Sequence, residues 1–239
     1  MRIRLAALSL ALVASAAIAQ SAGSRPAEDI ARDAERKPAA MLAFAKVKPG
    51  QTVVELIPGS GYFTRIFSNA VGPGGKVIAV VPAAQATRNP KMLDAVEALA
   101  KDPGRENVVV DVREWNRFAP PGQADMVWTS LNYHDIHDPR LPGDTIVNLN
   151  RSVFDALKPG GIFVVVDHAA EAGSGVRDVA TLHRIDPALV KAEVTEAGFR
   201  FDGESKVLAN PRDDHSKGVR DPALRGQTDQ FIYRFRKPR

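Results

Sequence analysis

The stretch VVELIPGSGYFT, residues 53–64, decides the fold. An apolar run carrying one acid, Glu55, meets a turn with Gly59 and Gly61. A helical pattern then starts at Tyr62. Strand, tight turn and helix in this order put free backbone N–H groups at the helix start, beside glycines that let a ligand approach. Such a loop can hold a small polar ligand, but a plain strand-to-helix turn has the same Gly-x-Gly. A dinucleotide loop needs a third glycine where this chain has Thr64. The phosphate-gripping Lys-Ser or Lys-Thr is also absent after the turn.

Outward from the loop, strand-like and helix-like runs alternate. The strand runs are 52–57, 76–81, 107–112, 124–130 and 161–167, with two more near 199–208 and 229–236. Helical patterns cover 62–71, 90–100, 142–157 and 187–197, and Gly198 is placed to end the last. Before them, residues 27–45 read as a helix that Pro38 splits. Apolar β-branched runs are those of strands buried on both faces, and repeated strand–helix–strand units make a parallel sheet with right-handed crossovers. Trp115 and Trp128 are expected to be packing residues, and the charged loop 210–227 either a lid or a solvated connection to the last strand.

The spacing Glu55-x-x-x-Gly59-x-Gly61 resembles motif I of the class I S-adenosylmethionine-dependent methyltransferases. The likeness runs on through LAFAKVKPGQTVVEL, GGKVIAVVP, ENVVVDV, ADMVWTSLNYHDI and LKPGGIFVVVDH, and spans roughly residues 27–238. The C-terminal segments are similar to those of a bacterial group of predicted, often exported, methyltransferase-like proteins. The resemblance implies a three-layer, Rossmann-like α/β fold with a seven-stranded, mostly parallel sheet whose last strand is antiparallel. It also implies S-adenosylmethionine as cofactor, held by Glu55, Gly59, Ser60, Gly61 and Asp111, with Asp111 on the adenine. Two positions depart from the pattern. Ile57 stands where the family usually has glycine, and Val81 stands where it usually has the acid that binds the ribose hydroxyls.

All five histidines, His134, His137, His168, His183 and His215, fall on loops at the carboxyl ends of the expected strands. In open α/β sheets, ligands bind at that edge. Three roles compete for them: acid–base work on a methyl acceptor, a divalent metal site, or capping of loops and backbone groups. For catalysis the candidates are His134, Asn132 and Asp135, inside the segment similar to motif IV.

Composition narrows the partners. Residues 1–19 have a charged start, an apolar run shorter than the roughly 20 residues that span a bilayer, and Ala17-Ile18-Ala19 before Gln20. They read as a signal peptide, so a periplasmic or secreted protein is expected. A linker at 20–28 and one domain at 29–239 would follow. Without Arg2 and Arg4, thirty basic side chains face 28 acidic ones, a formal charge of +2. That balance gives no reason to expect nucleic acid as a partner. With no cysteine, no disulfide staples the chain. The expected protein acts on a small molecule and has no stable membrane association after cleavage. The leading expectation is methyl transfer. Its alternatives are an exported binding or metal-dependent protein that reuses the fold, and a catalytically silent scaffold.

Overall fold

The computed structural model describes residues 24–114, 117 and 124–239. The expected signal peptide, residues 20–23 of the expected linker, and Trp115 lie outside the described residues. Seven strands form one sheet in the order β3-β2-β1-β4-β5-β7-β6. They are β1 (Thr52–Leu56), β2 (Lys76–Pro82), β3 (Val108–Arg113), β4 (Ala124–Ser130), β5 (Leu157–His168), β6 (Arg200–Ser205) and β7 (Gln230–Arg236). β7 runs antiparallel between β5 and β6, and the other pairings are parallel.

Period-two alternation splits the strand side chains between two cores. On β5, Phe163 and Val165 face one core, and Ile162, Val164 and Val166 face the other. Covered on both faces, such strands need the near-continuous Val and Ile runs found here. One face is packed by α7 (Thr145–Ala156) and α9 (Pro187–Glu196), through Leu149, Val153, Val190 and Val194. The other is packed by α3 (Pro38–Ala45), α4 (Tyr62–Val71) and α6 (Pro90–Ala100), through Met41, Phe63, Phe67 and Leu99. Trp128 on β4 is fully buried against Phe63 and Phe67, as a packing residue should be.

The N-terminal helical segment breaks into α1 (Ala27–Ala31), α2 (Asp33–Arg36) and α3. The last break comes at Lys37, which turns left-handed at φ +47 just before Pro38. The described end of the expected linker is tied to the domain. Ser24 O accepts a bond from Arg105 Nη2, Arg25 bonds Asp33 twice (2.9 and 2.6 Å), and α1 already starts at Ala27. Among the described residues, no helix is long and apolar enough to cross a membrane.

Sheet order reverses between β1 and β4, since β2 lies on one side of β1 and the later strands on the other. That switch point opens a crevice at the carboxyl ends of the strands. Ile57, Leu131 and His168 stand there side by side.

Candidate active site

The loop after β1 is built on three left-handed residues, Ile57 (φ +54), Gly59 (φ +60) and Gly61 (φ +86). At Gly61 a side chain is excluded twice, because an added Cβ would also lie 2.5 Å from Leu99 Cδ1. Ile57 has no such licence: a β-branched residue in this region is strained. Hydrogen bonds on both sides hold it. Its N–H donates to Val80 O (2.9 Å), and its carbonyl accepts from Asn132 Nδ2 (3.1 Å). Thr129 Oγ1 in turn donates to Asn132 Oδ1. Asn132 thus reaches the expected edge, but its amide is committed to the loop.

Over this loop lies a cavity of about 280 Å³, walled by Ile57, Gly59, Ser60, Gln85, Asn132 and Asp135 among others. Glu55 lies at its floor and accepts from Thr64 Oγ1 at 2.6 Å. Burial pushes its carboxyl up to about 8, against the Thr64 bond and the positive field of Arg36 and Arg65. Asp111 does not line the cavity. It sits on the edge strand β3 in a 2.7 Å ion pair with Arg113.

Val81 is fully buried and leaves no acid at the end of β2. Four residues on, α5 (Ala83–Arg88) puts Gln85 on the cavity wall. Gln85 Oε1 is buried with no hydrogen-bond partner. Sequence reasoning missed this residue, because the six-residue helix behind Pro82 has no readable amphipathic pattern.

A second lobe of about 550 Å³ adjoins the first, and the two share Arg32, Arg36, Phe63, Ser130 and Leu131. The 210–227 loop contributes Val219, Arg225 and Gly226 to its lining. It meets the N-terminal helices there: a Cβ on Gly226 would lie 2.7 Å from the Glu35 carboxylate. The loop is anchored by Arg184, fully buried and bidentate on buried Asp213 at 3.0 and 2.8 Å. Arg36 lies 4.7 Å from the Tyr62 ring and 5.2 Å from Phe63. Burial and neighbouring Arg32 lower its pKa to about 10, so it stays charged at neutral pH. Arg32, Arg36 and Arg225 face one carboxylate, Glu35, in this lobe.

The five histidines do not all converge. His137 turns to Glu193 on α9 (3.1 Å), and His215 to Asp229 (3.0 Å). His168 lines the larger lobe, with Nδ1 2.8 Å from Thr228 Oγ1. Burial depresses its pKa to about 4, so it is neutral at neutral pH. His134 gathers with His183 around Asp135, but it lines neither lobe and lies behind Asp135.

Buried Asp167 holds His134 twice, at the backbone N–H and at Nδ1, both at 2.8 Å. It accepts the His168 N–H as well, at 2.8 Å. Burial alone would lower the His134 pKa, but the Asp167 charge and hydrogen bond, with Asp135, raise it. Asp167 is held below the usual carboxylate range by the same pair, against its own burial.

The fold matches known structures. A S-adenosylmethionine-dependent methyltransferase from Aquifex aeolicus superposes with a TM-score of 0.62 at 17% identity, over 92% of this chain and 97% of that one. A Mesorhizobium loti S-adenosylmethionine-dependent methyltransferase gives 0.57 at 17%, over 83% and 96%. The [4+2]-cyclase SpnF gives 0.63 at 18%, over 86% and 82%. The fold is that of the class I methyltransferases. Residues 29–120 of this methyltransferase fold also match the family model for protein-L-isoaspartate (D-aspartate) O-methyltransferase. No curated protein matches the chain.

Proposed function

We propose that this protein transfers a methyl group from S-adenosylmethionine to a small anionic acceptor. The observation that carries the reading is the pair of adjoining lobes. The one over the 57–61 loop suits the donor, and the arginine-lined one beside it suits the acceptor. The family match over residues 29–120, to an O-methyltransferase, supports an oxygen atom as the acceptor.

In this reading Gly59, Ser60 and Gly61 form the backbone cradle of the donor, and Glu55 fixes the loop from below through Thr64. Gln85 takes a ribose hydroxyl in place of the acid missing at Val81. Asn132 holds Ile57, and through it the loop pitch. Asp135, on the donor-lobe wall, takes the proton of a hydroxyl acceptor, with His134 Nε2 3.4 Å behind it. Held there, S-adenosylmethionine would supply the methyl carbon for a new bond to the acceptor oxygen, and its sulfur would keep the electron pair of the sulfonium–carbon bond that breaks. In-line displacement of this kind depends mainly on alignment, which the shared wall provides.

The residue pattern at 1–19 supports export, which N-terminal sequencing of the mature protein would test at Gln20. Calorimetry with S-adenosylmethionine and S-adenosylhomocysteine tests the donor reading. Saturable heat is expected, and its absence at millimolar ligand, with the chain folded, overturns the reading.

A further inference from the structure

We infer a divalent transition-metal site whose ligands are His134 Nε2, Asp135 Oδ1 and His183 Nδ1. The three atoms lie within 4.8 Å of one another. Two of the separations are 3.4 Å (His134 to Asp135) and 3.8 Å (His183 to Asp135). A tetrahedral ion with bonds of about 2.0–2.2 Å spaces its ligands about 3.3–3.6 Å apart, so little movement closes the shell.

Three features point to a built site rather than a chance meeting of polar loops. First, Asp167, with no exposed surface, bonds His134 Nδ1 at 2.8 Å. A carboxylate there fixes the ring tautomer and turns the Nε2 lone pair to the metal, the usual support of a metal-bound imidazole. Second, His183 ends α8 (Val179–Leu182) in a left-handed conformation, φ +55. Strain of that kind at a non-glycine residue collects at functional sites. Third, an ion held here has room for a fourth ligand. Asp135 and His183 face a cleft of about 270 Å³ bordered by Asp138 and Arg140, and Asp135 also lines the donor lobe.

Two imidazoles and one carboxylate suit zinc, iron(II) or manganese, whereas calcium and magnesium take oxygen ligands. The Arg220 guanidinium opposes binding, since its positive charge acts on both imidazoles and repels a cation between them. The site does not rest on the methyl-donor reading. Where both hold, Asp135 would be a metal ligand rather than the base, and the ion would supply the lowering of the acceptor hydroxyl's pKa.

The test is equilibrium dialysis of the EDTA-stripped chain against zinc, with elemental analysis. One zinc per chain is expected at micromolar metal. His183→Asn, which tolerates the left-handed backbone, and Asp135→Asn at a 44% exposed side chain should each abolish stoichiometric uptake. Asp167→Asn should weaken it about 10–100-fold, and Arg220→Gln should strengthen it. Sub-stoichiometric zinc in the wild type, or uptake unchanged by both His183→Asn and Asp135→Asn, overturns the site. S-adenosylhomocysteine calorimetry on the same samples keeps the two proposals apart, since loss of either signal leaves the other standing.

Discussion

Ile57 offers the sharpest test of the loop geometry. Its φ of +54 costs a side-chain-bearing residue about 1–2 kcal/mol that glycine does not incur. Glycine ordinarily destabilises a protein relative to alanine, because it frees more of the unfolded chain, by about 0.4–1 kcal/mol. At this position the order should reverse. Ile57→Gly and Ile57→Ala both remove the branched side chain from the core, where it is 8% exposed, so both melt below the wild type. The alanine variant keeps the backbone strain. Subtracting the two terms leaves glycine ahead by about 1 kcal/mol. For a chain of this length that is a melting difference of about 2–4 °C. Thermal unfolding followed by circular dichroism reads it directly. An alanine variant that melts at or above the glycine variant refutes the left-handed assignment, and with it the account of why Asn132 must hold the Ile57 carbonyl. The same pair bears on the donor lobe: Ile57→Gly clears one wall and should tighten S-adenosylhomocysteine binding relative to wild type.

Glu55, with its pKa raised to about 8, holds a proton that the unfolded chain releases near 4.5. Its contribution to stability is therefore complete below about pH 4.5 and lost as pH rises to about 8. Urea midpoints at about pH 5 and about pH 8 should differ less in Glu55→Gln than in wild type, and an equal fall in both would remove the assignment. Gln85→Ala should weaken S-adenosylhomocysteine binding about five- to tenfold, the worth of one neutral hydrogen bond. Arg225→Ala, confined to the other lobe, should leave that binding unchanged; calorimetry distinguishes them. Arg184→Met strips the partner from buried Asp213 and should cost about 3–5 kcal/mol. Hydrogen exchange should then speed up at Val219 N–H, which bonds Leu182 O beside this anchor; unchanged protection would mean that the ion pair does not hold the loop.

Much of the fold was legible because period and length carry it. Expected strands at 76–81 and 124–130 appear as Lys76–Pro82 and Ala124–Ser130, since a strand buried on both faces must be written as a run of apolar residues. β5 starts earlier than its apolar core, at Leu157, because Leu157 pairs with Ala124 across a register shift. The site was harder to read. The ion pair of Asp111 with Arg113 was not foreseen: β3 continues to Arg113, and two residues along a strand share a face, so the pair meets on the sheet edge. The histidines could be placed on the right edge from topology alone. Which of them meet depends on how 3-10 turns and loops twist a few residues: His134 and His137, one turn apart, face Asp167 and Glu193. Nothing in residue order encodes that choice in readable form.

The strained residues point the same way as the cavities. Among the described residues, six non-glycines have positive φ, and Ile57, Leu131, His183 and His215 all stand on the carboxyl edge of the sheet. Glycine would remove the cost at each, about 1–2 kcal/mol. It would also remove something specific: the apolar walls that Ile57 and Leu131 give the lobes, the His183 nitrogen beside Asp135, and the His215 bond to Asp229. Backbone bonds fix the first two, Ile57 N–H on Val80 O and Leu131 N–H on Val166 O, so sheet pairing sustains the strain. Backbone conformation alone would favour glycine at these places. Keeping a side chain at such a cost is what a working edge requires, because there the position of each wall and ligand outweighs the stability lost in holding it.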